Sequence, residues 1–240
     1  MTSLETLLAE ARDFGYLGSQ PIGRQIEHAA GFADVCAGAL SMASAGDGPA
    51  VDRLLDLGAG GGLPGLVLAT GPSAGRFQLV LIDSSKRRTE WLWHAVEALG
   101  LDAAVQIFLE RAEEAGRSPL HRYQYAAVVA RSFGRPGVTA ECAAPLLRVG
   151  GILIVSEPPA QLDDAADSAD GAASAEGARC LGPAPQLAQR WPTAGLAELG
   201  LSPAEEWRAR GFRYAVVRSE HACTERYPRR NGVPAKRPLF

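Results

Sequence analysis

The amino-acid sequence predicts an α/β protein in which a mostly parallel sheet of seven strands is covered by helices on both faces. Two observations carry this prediction. An apolar segment over residues 51–57 runs directly into a glycine-rich stretch over residues 58–62, and strand-like and helix-like segments alternate from residue 51 to residue 155. A strand, a glycine loop and a following helix form the nucleotide-binding corner of a doubly wound sheet, which is a three-layer sandwich.

Hydrophobic periodicity assigns the elements in order. The predicted strands cover residues 51–57, 77–82, 103–108, 125–130, 152–155 and 214–218. The predicted helices cover residues 63–70, 86–99 and 138–147. Residues 199–207 are predicted to form a polar turn and a short helix, and one more strand near the C-terminus brings the sheet to seven.

The glycine loop differs from a dinucleotide-binding loop. The fingerprint G-x-G-x-x-G requires a third glycine where this chain has Leu63. An acidic residue followed by G-x-G resembles motif I of class I S-adenosylmethionine (SAM) methyltransferases, which implies that the loop binds the methionine part of SAM and that the carboxylate lies near its amino-acid end. The SAM-binding residues implied here are Asp56, Gly58, Gly60, Gly62 and Leu63. The alternative is a glycine-rich loop that only turns the chain.

The second predicted strand ends at another acidic residue. Asp83 lies where a carboxylate accepts hydrogen bonds from the ribose hydroxyls of an adenosine cofactor, and Ser84 follows it. Both are candidate SAM-binding residues. The alternative role for this segment is to start the next helix, because serine caps helix N-termini and an acidic residue is favourable there.

The turns after the third and fourth predicted strands supply the remaining candidates. Arg111, Ala112 and Glu113 lie where these folds hold the adenine, although Arg111 and Glu113 equally suit the start of a solvated helix. The fourth strand ends at Arg131, and ligands bind outside the carboxyl ends of the strands of an open parallel sheet. Arg131 is therefore a candidate for contact with the cofactor and for catalysis, where it would hold a phosphate or a base edge, and Phe133 is a candidate platform for the base. A salt bridge below the rim is the alternative role for Arg131.

Several longer segments resemble one family. The chain contains, in order, GRQIEHAAGFA (23–33), LDLGAGGGLPGLVLA (55–69), LIDSSKRRTEWL (81–92), LERAEE (109–114), VVARSFGRPGVTAECAAPLLRVGG (128–151) and ERYPRRNGVPAKRPL (225–239). These segments are similar to those of the glucose-inhibited-division B family. The resemblance implies a Rossmann-like, SAM-dependent methyltransferase that acts on N7 of a guanine in bacterial 16S ribosomal RNA. It also implies SAM as the cofactor and the 16S rRNA or the 30S ribosomal subunit as the partner.

The sequence departs from this family in two places. Family members usually carry a W-N-x-x-x-N-L-T stretch in an extra N-terminal helix, and nothing like it precedes Gly23. They usually carry a lysine-glycine pair after the fifth strand, where this chain has Ser156 and Glu157. Since an acidic side chain opposes phosphate binding, a non-catalytic paralogue that binds SAM or rRNA is an alternative function. A small-molecule methyltransferase with the same cofactor corner is the other alternative.

The C-terminal segment is basic. Its cations are Arg226, Arg229, Arg230, Lys236 and Arg237, with no acidic residue among them. Tyr227, three prolines and Gly232 favour an extended strap over a helix. Basic side chains of such a strap displace counterions from RNA phosphates, which predicts RNA binding by these five residues. The alternative is an arm that packs over the domain.

Composition fits one domain, since the chain has 240 residues, of which 47% are hydrophobic, and a net charge of −3. We expect a helical segment over residues 1–50, a SAM-binding core over 51–155, a flexible acidic insertion over 156–192, and closing strands with the basic tail over 193–240. No apolar stretch has membrane-spanning length and no signal-peptide profile occurs, so we expect a cytoplasmic monomer without a membrane partner. The four cysteines are scattered with no C-x-x-C pair, so no metal site is expected.

Overall fold

The computed structural model describes residues 2–41, 52–72, 74–159 and 178–240. Within these residues, eight strands form one sheet. The strands are β1 (Asp52–Leu57), β2 (Phe77–Asp83), β3 (Val105–Leu109), β4 (Tyr125–Ala130), β5 (Leu147–Glu157), β6 (Arg179–Gly182), β7 (Glu205–Ala209) and β8 (Phe212–Arg218). The predicted α/β class and mostly parallel sheet are confirmed, whereas the predicted number of seven strands is wrong.

The strand order is β3-β2-β1-β4-β5-β8-β7-β6. Strands β1 to β5 pair in parallel, whereas β8, β7 and β6 add to the sheet in antiparallel fashion. The order reverses between β1 and β4, which lie side by side. Ligands of doubly wound sheets bind at such a reversal, outside the carboxyl ends of the strands. Leu57 and Ala130, the last residues of these two strands, therefore mark the crevice.

Helices cover both faces of the sheet. They are α1 (Leu4–Asp13), α2 (Ile22–Ser41), α3 (Gly65–Thr70), α4 (Lys86–Ala98), α5 (Ala112–Ala115), α6 (Pro136–Ala143), α7 (Pro185–Arg190), α8 (Thr193–Ala197), α9 (Val233–Lys236) and a 3₁₀ helix at Ala144–Leu146. Side chains of β1 alternate between the faces, so Leu55 packs with α5 and α6 while Leu54 packs with α2 and α4. None of the helices in the described ranges is both long and apolar enough to cross a membrane.

The prediction for residues 199–207, a turn and a short helix, is wrong because β7 begins there. Strands β7 and β8 form a hairpin in which Ala209 pairs with Phe212. The two residues between them, Arg210 and Gly211, have positive φ angles of 52° and 75°, as type I′ hairpin turns require. Pairing with β8 therefore decides the conformation of this segment over its weak helical pattern.

The predicted acidic insertion, residues 156–192, contains regular structure where it is described. Strand β6 pairs with β7, and α7 follows it and buries Leu187. Residues 160–177, which carry the acidic residues of this prediction, lie outside the described residues. So do residues 42–51 of the predicted helical segment and first strand.

The basic tail is folded onto the domain, so the predicted extended strap without a helix is wrong. The tail contains α9, and Glu141 of α6 anchors it. Glu141 is fully buried and accepts hydrogen bonds from the backbone N–H of Arg229 at 2.9 Å, from its Nε at 2.8 Å and from its Nη2 at 2.5 Å. A buried carboxylate requires such partners, and this requirement holds the tail against α6.

Arg122 fixes the beginning of the tail. Its Nη1 donates to the carbonyl of Tyr227 at 2.9 Å, and its Nη2 donates to the carbonyls of Cys223 and Thr224 at 2.9 and 3.0 Å. Carbonyl groups that are removed from water require a hydrogen-bond donor. In this segment without regular structure, one guanidinium donates to three of them. The tail is therefore held at two points by arginine side chains.

Arg229→Ala should lower the free energy of unfolding by about 3–5 kcal/mol, because it leaves the buried carboxylate of Glu141 without its partner. Urea denaturation measures this change. Arg230→Ala is the matched control, since the neighbouring side chain is exposed and its loss should cost less than about 0.5 kcal/mol. Equal losses in the two variants would contradict the role assigned to Arg229.

Candidate functional site

Two carboxylates at the ends of neighbouring strands hold the glycine loop between β1 and α3. The N–H of Gly60 donates to Oδ2 of Asp83 at 2.9 Å, and the N–H of Gly65 donates to Oδ2 of Asp56 at 2.8 Å. Gly58 and Gly60 adopt positive φ angles of 75° and 55°, a region that favours glycine. Side chains of β1 and β2 thus set the position of the loop.

The glycines of the loop have different surroundings. A Cβ at Gly58 would lie 2.6 Å from Cδ2 of Phe133, so that ring packs directly on the backbone. A Cβ at Gly60 would lie in ordinary van der Waals contact, 3.7 Å from the carbonyl oxygen of Gly58, and the residue is partly exposed. A Cβ at Gly62 would lie 2.5 Å from Cδ1 of Leu66 in α3. Gly60 can therefore approach a ligand, whereas Gly62 allows the helix to pack.

An open cavity with two lobes lies over the loop, lobe A of about 190 Å³ and lobe B of about 230 Å³. The lobes share Gly58, Arg88 and Ser132, and together they fall within the roughly 300–1,000 Å³ of small-molecule sites. The other residues that line lobe A are Leu57, Ile82, Asp83, Ser84, Glu110, Ala112 and Phe133. The other residues that line lobe B are Tyr16, Leu17, Gly18, Ala59, Gly60, Gly61, Leu63 and Arg131.

Asp83 forms an acidic wall of lobe A. Its side chain is 5% exposed, and Nη1 of Arg88 lies 3.7 Å from its Oδ2. Its Oδ1 accepts a hydrogen bond from the N–H of Ser85 at 2.8 Å, and its Oδ2 accepts from Gly60. A carboxylate has about four lone-pair sites, so two remain for a ligand. The geometry is compatible with both predicted roles, contact with a ligand and support of the following helix.

Asp56 lies beneath the loop and is not brought to the cavity wall, where the sequence predicted contact with the cofactor. Burial raises the pKa of its carboxyl to about 7, against the hydrogen bond from Gly65 and the charge of Arg131, which lower it. Its Oδ1 has no hydrogen-bond partner among the described residues. Asp56 therefore acts on the site through the position of the loop.

Arg131 reaches lobe B from the end of β4. Its Nη2 donates to Oε1 of Gln25 at 2.9 Å, whereas its buried Nη1 has no partner in the part of the chain that the structure describes. Burial lowers the pKa of this guanidinium, and the carboxyl of Asp56 opposes that effect. One arm of the guanidinium is fixed by the protein, and the other is available to a ligand.

The loop between α1 and α2 closes lobe B from the side of the N-terminus. A Cβ at Gly61 would lie 2.7 Å from Cδ2 of Leu17, so this loop packs on the glycine loop. Gln25, which is 2% exposed, fixes the loop by donating from Nε2 to two of its carbonyl oxygens, each at 2.9 Å. The same side chain holds Arg131, so it joins the N-terminal helices to the site.

Glu110 adds a second carboxylate to lobe A. Its Oε2 lies 3.3 Å from Nε2 of His121, whose Nδ1 is 2.5 Å from the hydroxyl of Tyr125. Burial raises the pKa of Glu110, as does the charge of Glu114, whereas burial lowers the pKa of His121. The buried pair of His121 and Tyr125 therefore lies behind Glu110, although Nε2 of His121 forms no hydrogen bond among the described residues.

The structure brings most of the predicted SAM-binding and catalytic residues to the cavity. Those that line it are Gly58, Gly60, Leu63, Asp83, Ser84, Ala112, Arg131 and Phe133. Those that do not are Asp56, Gly62, Arg111 and Glu113. Nη2 of Arg111 lies 3.4 Å from Oε1 of Glu113, which accepts a hydrogen bond from the N–H of Gly232 at 2.7 Å. Arg111 is therefore the N-cap of α5, and Glu113, within α5, holds the tail.

Sequence reasoning missed Arg88, Glu110, Gln25 and residues 16–18. Arg88 and Glu110 follow β2 and β3 closely, and residues after the carboxyl ends of parallel strands line the ligand crevice. Their position in the sequence could therefore have predicted them. Gln25 lies within the segment 23–33 that resembles the family. Nothing local marks residues 16–18, because they reach lobe B only through the packing of α1 and α2.

The cavity combines carboxylates in lobe A with exposed loop backbone and a guanidinium in lobe B. An elongated ligand that carries hydroxyl groups at one end and a charged group at the other matches these walls. In the described ranges, no group of three or more His, Cys, Asp or Glu side chains could hold a metal ion.

The chain is similar to known proteins over most of its length. The family model GidB, described as rRNA small subunit methyltransferase G, matches residues 36–177. The protein named Ribosomal RNA small subunit methyltransferase G from Synechococcus sp. is 37% identical over 189 residues, which cover 78% of this chain and 70% of that protein. Its namesake from Rubrobacter xylanophilus is 36% identical over 195 residues, which cover 79% of this chain and 66% of that protein. The chain thus spans about two thirds of the length of these relatives.

Two crystal structures share the fold across nearly the whole chain. A Corynebacterium glutamicum protein has a TM-score of 0.50 at 18% identity, covering 92% of this chain and 93% of that chain. A cofactor-bound protein from MTB has a TM-score of 0.54 at 15% identity, covering 91% of this chain and 89% of that chain. At these identities, the similarity supports the fold alone.

Asp56 should make the folded protein less stable as the pH rises. Its carboxyl has a pKa of about 7 in the folded protein and of about 3.9 in an unfolded chain, so between these values it binds a proton only in the folded state. Its contribution to stability is therefore present below about pH 4 and is lost as the pH rises through about 7. Each pKa unit corresponds to about 1.4 kcal/mol.

Asp56→Asn keeps an acceptor for the N–H of Gly65 and removes the titration. We expect this variant to gain about 3 kcal/mol of unfolding free energy relative to the unmodified protein between about pH 4.5 and about pH 8. Urea denaturation of both proteins at the two pH values measures the gain. A difference that does not change with pH would show that Asp56 titrates normally.

Proposed function

Since the chain belongs to the GidB family of rRNA small subunit methyltransferase G, we propose that it transfers the methyl group of SAM to N7 of a guanine in 16S ribosomal RNA. The observation that carries this proposal is the two-lobed cavity over the glycine loop. Asp83 lines one lobe and Arg131 lines the other. The family supplies the substrate class, and the chemistry of the cavity supports the cofactor.

The walls of the cavity fit SAM. We assign its adenosine part to lobe A, where Asp83 can accept hydrogen bonds from both ribose hydroxyls and where Ser84 and Ala112 border the nucleoside. Its methionine part belongs in lobe B, against the backbone at Gly60, which lines that lobe. The buried and unpartnered Nη1 of Arg131 is a donor for a carboxylate of the cofactor or for the RNA.

The reaction requires alignment more than acid–base chemistry. SAM supplies a methyl group on a sulfonium that is already activated. Guanine N7 carries an in-plane lone pair and no proton, so no general base is needed and the residues of the site must chiefly orient the base. We assign the base platform to Phe133, whose ring is held against Gly58. A ring face stabilises the cationic charge that the purine gains as the methyl group arrives.

We propose 16S rRNA, free or within the 30S subunit, as the partner. The exposed basic side chains of the tail contact this RNA, and the reaction takes place in the cytoplasm. Glu157 does not oppose this proposal. Its Oε2 accepts a hydrogen bond from Nε of Arg190 at 2.6 Å and its Oε1 accepts from Nε1 of Trp191 at 2.9 Å, and its side chain is 4% exposed. A carboxylate that is compensated inside the fold repels phosphate weakly, which weakens the argument for a non-catalytic paralogue.

Transfer of label from tritiated SAM tests the proposed function. The purified protein is incubated with tritiated SAM and, in parallel, with undermethylated 30S subunits, with naked 16S rRNA and with a total metabolite extract. We expect label in the 30S subunits or in the rRNA, recovered as 7-methylguanosine after digestion to nucleosides. Label in small molecules would replace the proposal with a small-molecule methyltransferase. Tight SAM binding with no label anywhere would replace it with the non-catalytic paralogue.

Asp83→Asn should weaken SAM binding by about 1–3 kcal/mol, or roughly 5- to 150-fold, because the ribose hydroxyls lose a charged acceptor. Isothermal titration calorimetry measures the dissociation constant. Asp102→Asn is the matched control, since this aspartate is exposed and does not line the cavity. An unchanged affinity in Asp83→Asn would remove Asp83 from the cofactor site.

A further inference from the structure

The folded tail forms a concave, basic surface in which three of the residues predicted to bind RNA meet Arg117, which was not predicted. The arginine basin, as we name it, is lined by Arg117, Arg226, Pro228, Arg229, Arg230 and Val233, and it has a volume of about 580 Å³. Arg117 comes from the turn after α5 and the other residues come from the tail. We propose that the arginine basin binds the phosphodiester backbone of the RNA substrate, an inference that rests on the proposed function.

Three of the four arginines carry charge that no carboxylate compensates among the described residues. Arg226 and Arg230 are exposed and form no ion pair there. Arg117 is held by neutral acceptors, since its Nη1 donates to the carbonyl of Arg229 at 3.0 Å and its Nη2 donates to Oδ1 of Asn231 at 2.6 Å. The guanidinium of Arg229 is instead paired with the buried Glu141. Arg229 therefore shapes the basin, while its three neighbours supply the charge.

The acidic side chains near the arginine basin are engaged elsewhere. Oε1 of Glu225 lies 3.3 Å from Nε of Arg122. Oε1 of Glu114 accepts a hydrogen bond from Nδ2 of Asn231 at 2.6 Å. Glu113 accepts from the backbone of the tail at Gly232. These acids hold the tail in place, and none of them lines the basin.

The basin is formed before any ligand binds. Backbone acceptors fix the guanidinium of Arg117, and the guanidinium carbon of Arg226 lies 5.4 Å from the centre of the Tyr227 ring. Arg122 and Glu141 hold the chain on either side. A preformed site loses less conformational entropy on binding than a flexible arm does. The folded tail is therefore a better anion site than the extended strap.

The shape and the residue type favour the phosphates of RNA over a small ligand. Arginine presents planar, forked donors that match phosphate oxygens. The basin is wide and open, so it suits a chain that passes through it with several phosphates in contact. The floor at Pro228 and Val233 is apolar and offers a sugar or base a surface without competing charge.

Helix α5 connects the arginine basin to the cofactor cavity. Ala112 at its beginning lines lobe A, while Glu113 and Glu114 hold the tail at Gly232 and Asn231. The tail that forms the basin is therefore attached to the same helix that borders lobe A.

The double variant Arg226→Gln/Arg230→Gln tests this proposal, because neither side chain takes part in the anchoring of the tail. The control is Arg76→Gln/Arg179→Gln, which makes the same change of net charge at two exposed arginines outside the basin. Filter binding of an in vitro transcript of small-subunit rRNA is measured at several salt concentrations. SAM affinity and thermal unfolding of each protein are measured alongside.

We expect the basin variant to lose about tenfold or more in RNA affinity at moderate salt. The slope of log affinity against log salt concentration should become shallower by about 1.4–1.8, which corresponds to the loss of two phosphate contacts. The control variant should keep the RNA affinity and the salt dependence of the unmodified protein, and both variants should keep its SAM affinity. Equal behaviour of the two variants would overturn the proposal, whether neither loses affinity or both lose it alike. Polyglutamate binding is measured in the same way. If the basin variant loses as much affinity for polyglutamate as for RNA, the proposal is also overturned, because this result would indicate an acidic protein partner. If the unmodified protein binds RNA but transfers no methyl group to it, the proposed function fails while the basin is still tested.

Discussion

The pairing of two strand-end carboxylates with the amides of the glycine loop is the constraint on which the rest of the site depends. Asp56 and Asp83 belong to adjacent parallel strands, and the register that places Asp56 beside Leu81 sets the distance between them. One carboxylate holds Gly65 at the beginning of α3 and the other holds Gly60 beneath the cavity. The raised pKa of Asp56 shows that its burial opposes ionisation, so the fold accepts a destabilising group to fix this loop.

Segments near both ends of the chain are linked to the walls of the two-lobed cavity. At the N-terminal end, Gln25 links the loop that covers lobe B to the guanidinium of Arg131. At the C-terminal end, Glu113 links α5, which borders lobe A, to the tail at Gly232. The walls of the cavity therefore come from segments that are far apart in sequence, and a few buried polar contacts bring them together. The proposed cofactor site and the proposed RNA-binding surface are thus connected through α5.

The sequence predicted the features that are local and repeated. Residues 125–130 are apolar throughout and form β4 within the predicted bounds, and the loop after β1 is marked by glycines that only a close approach or a positive φ explains. The predictions from the sequence failed where contact with a residue distant in sequence determines the conformation of a segment. The hairpin of β7 depends on pairing with β8, and the tail depends on Glu141 of α6, a side chain that looks like an exposed helix residue in the sequence. Arg229 was therefore predicted as an RNA ligand although the fold uses it as a counter-ion.

We propose that the cavity on the glycine loop holds the nucleoside and the amino-acid parts of the cofactor in separate lobes. A crystal structure with S-adenosylhomocysteine, the product of methyl transfer, tests this claim most directly. We expect the ribose hydroxyls on Asp83 in lobe A, and the homocysteine part over Gly60 and beside Arg131 in lobe B. Electron density for the nucleoside in lobe B, or for the ligand away from the glycine loop, would contradict it.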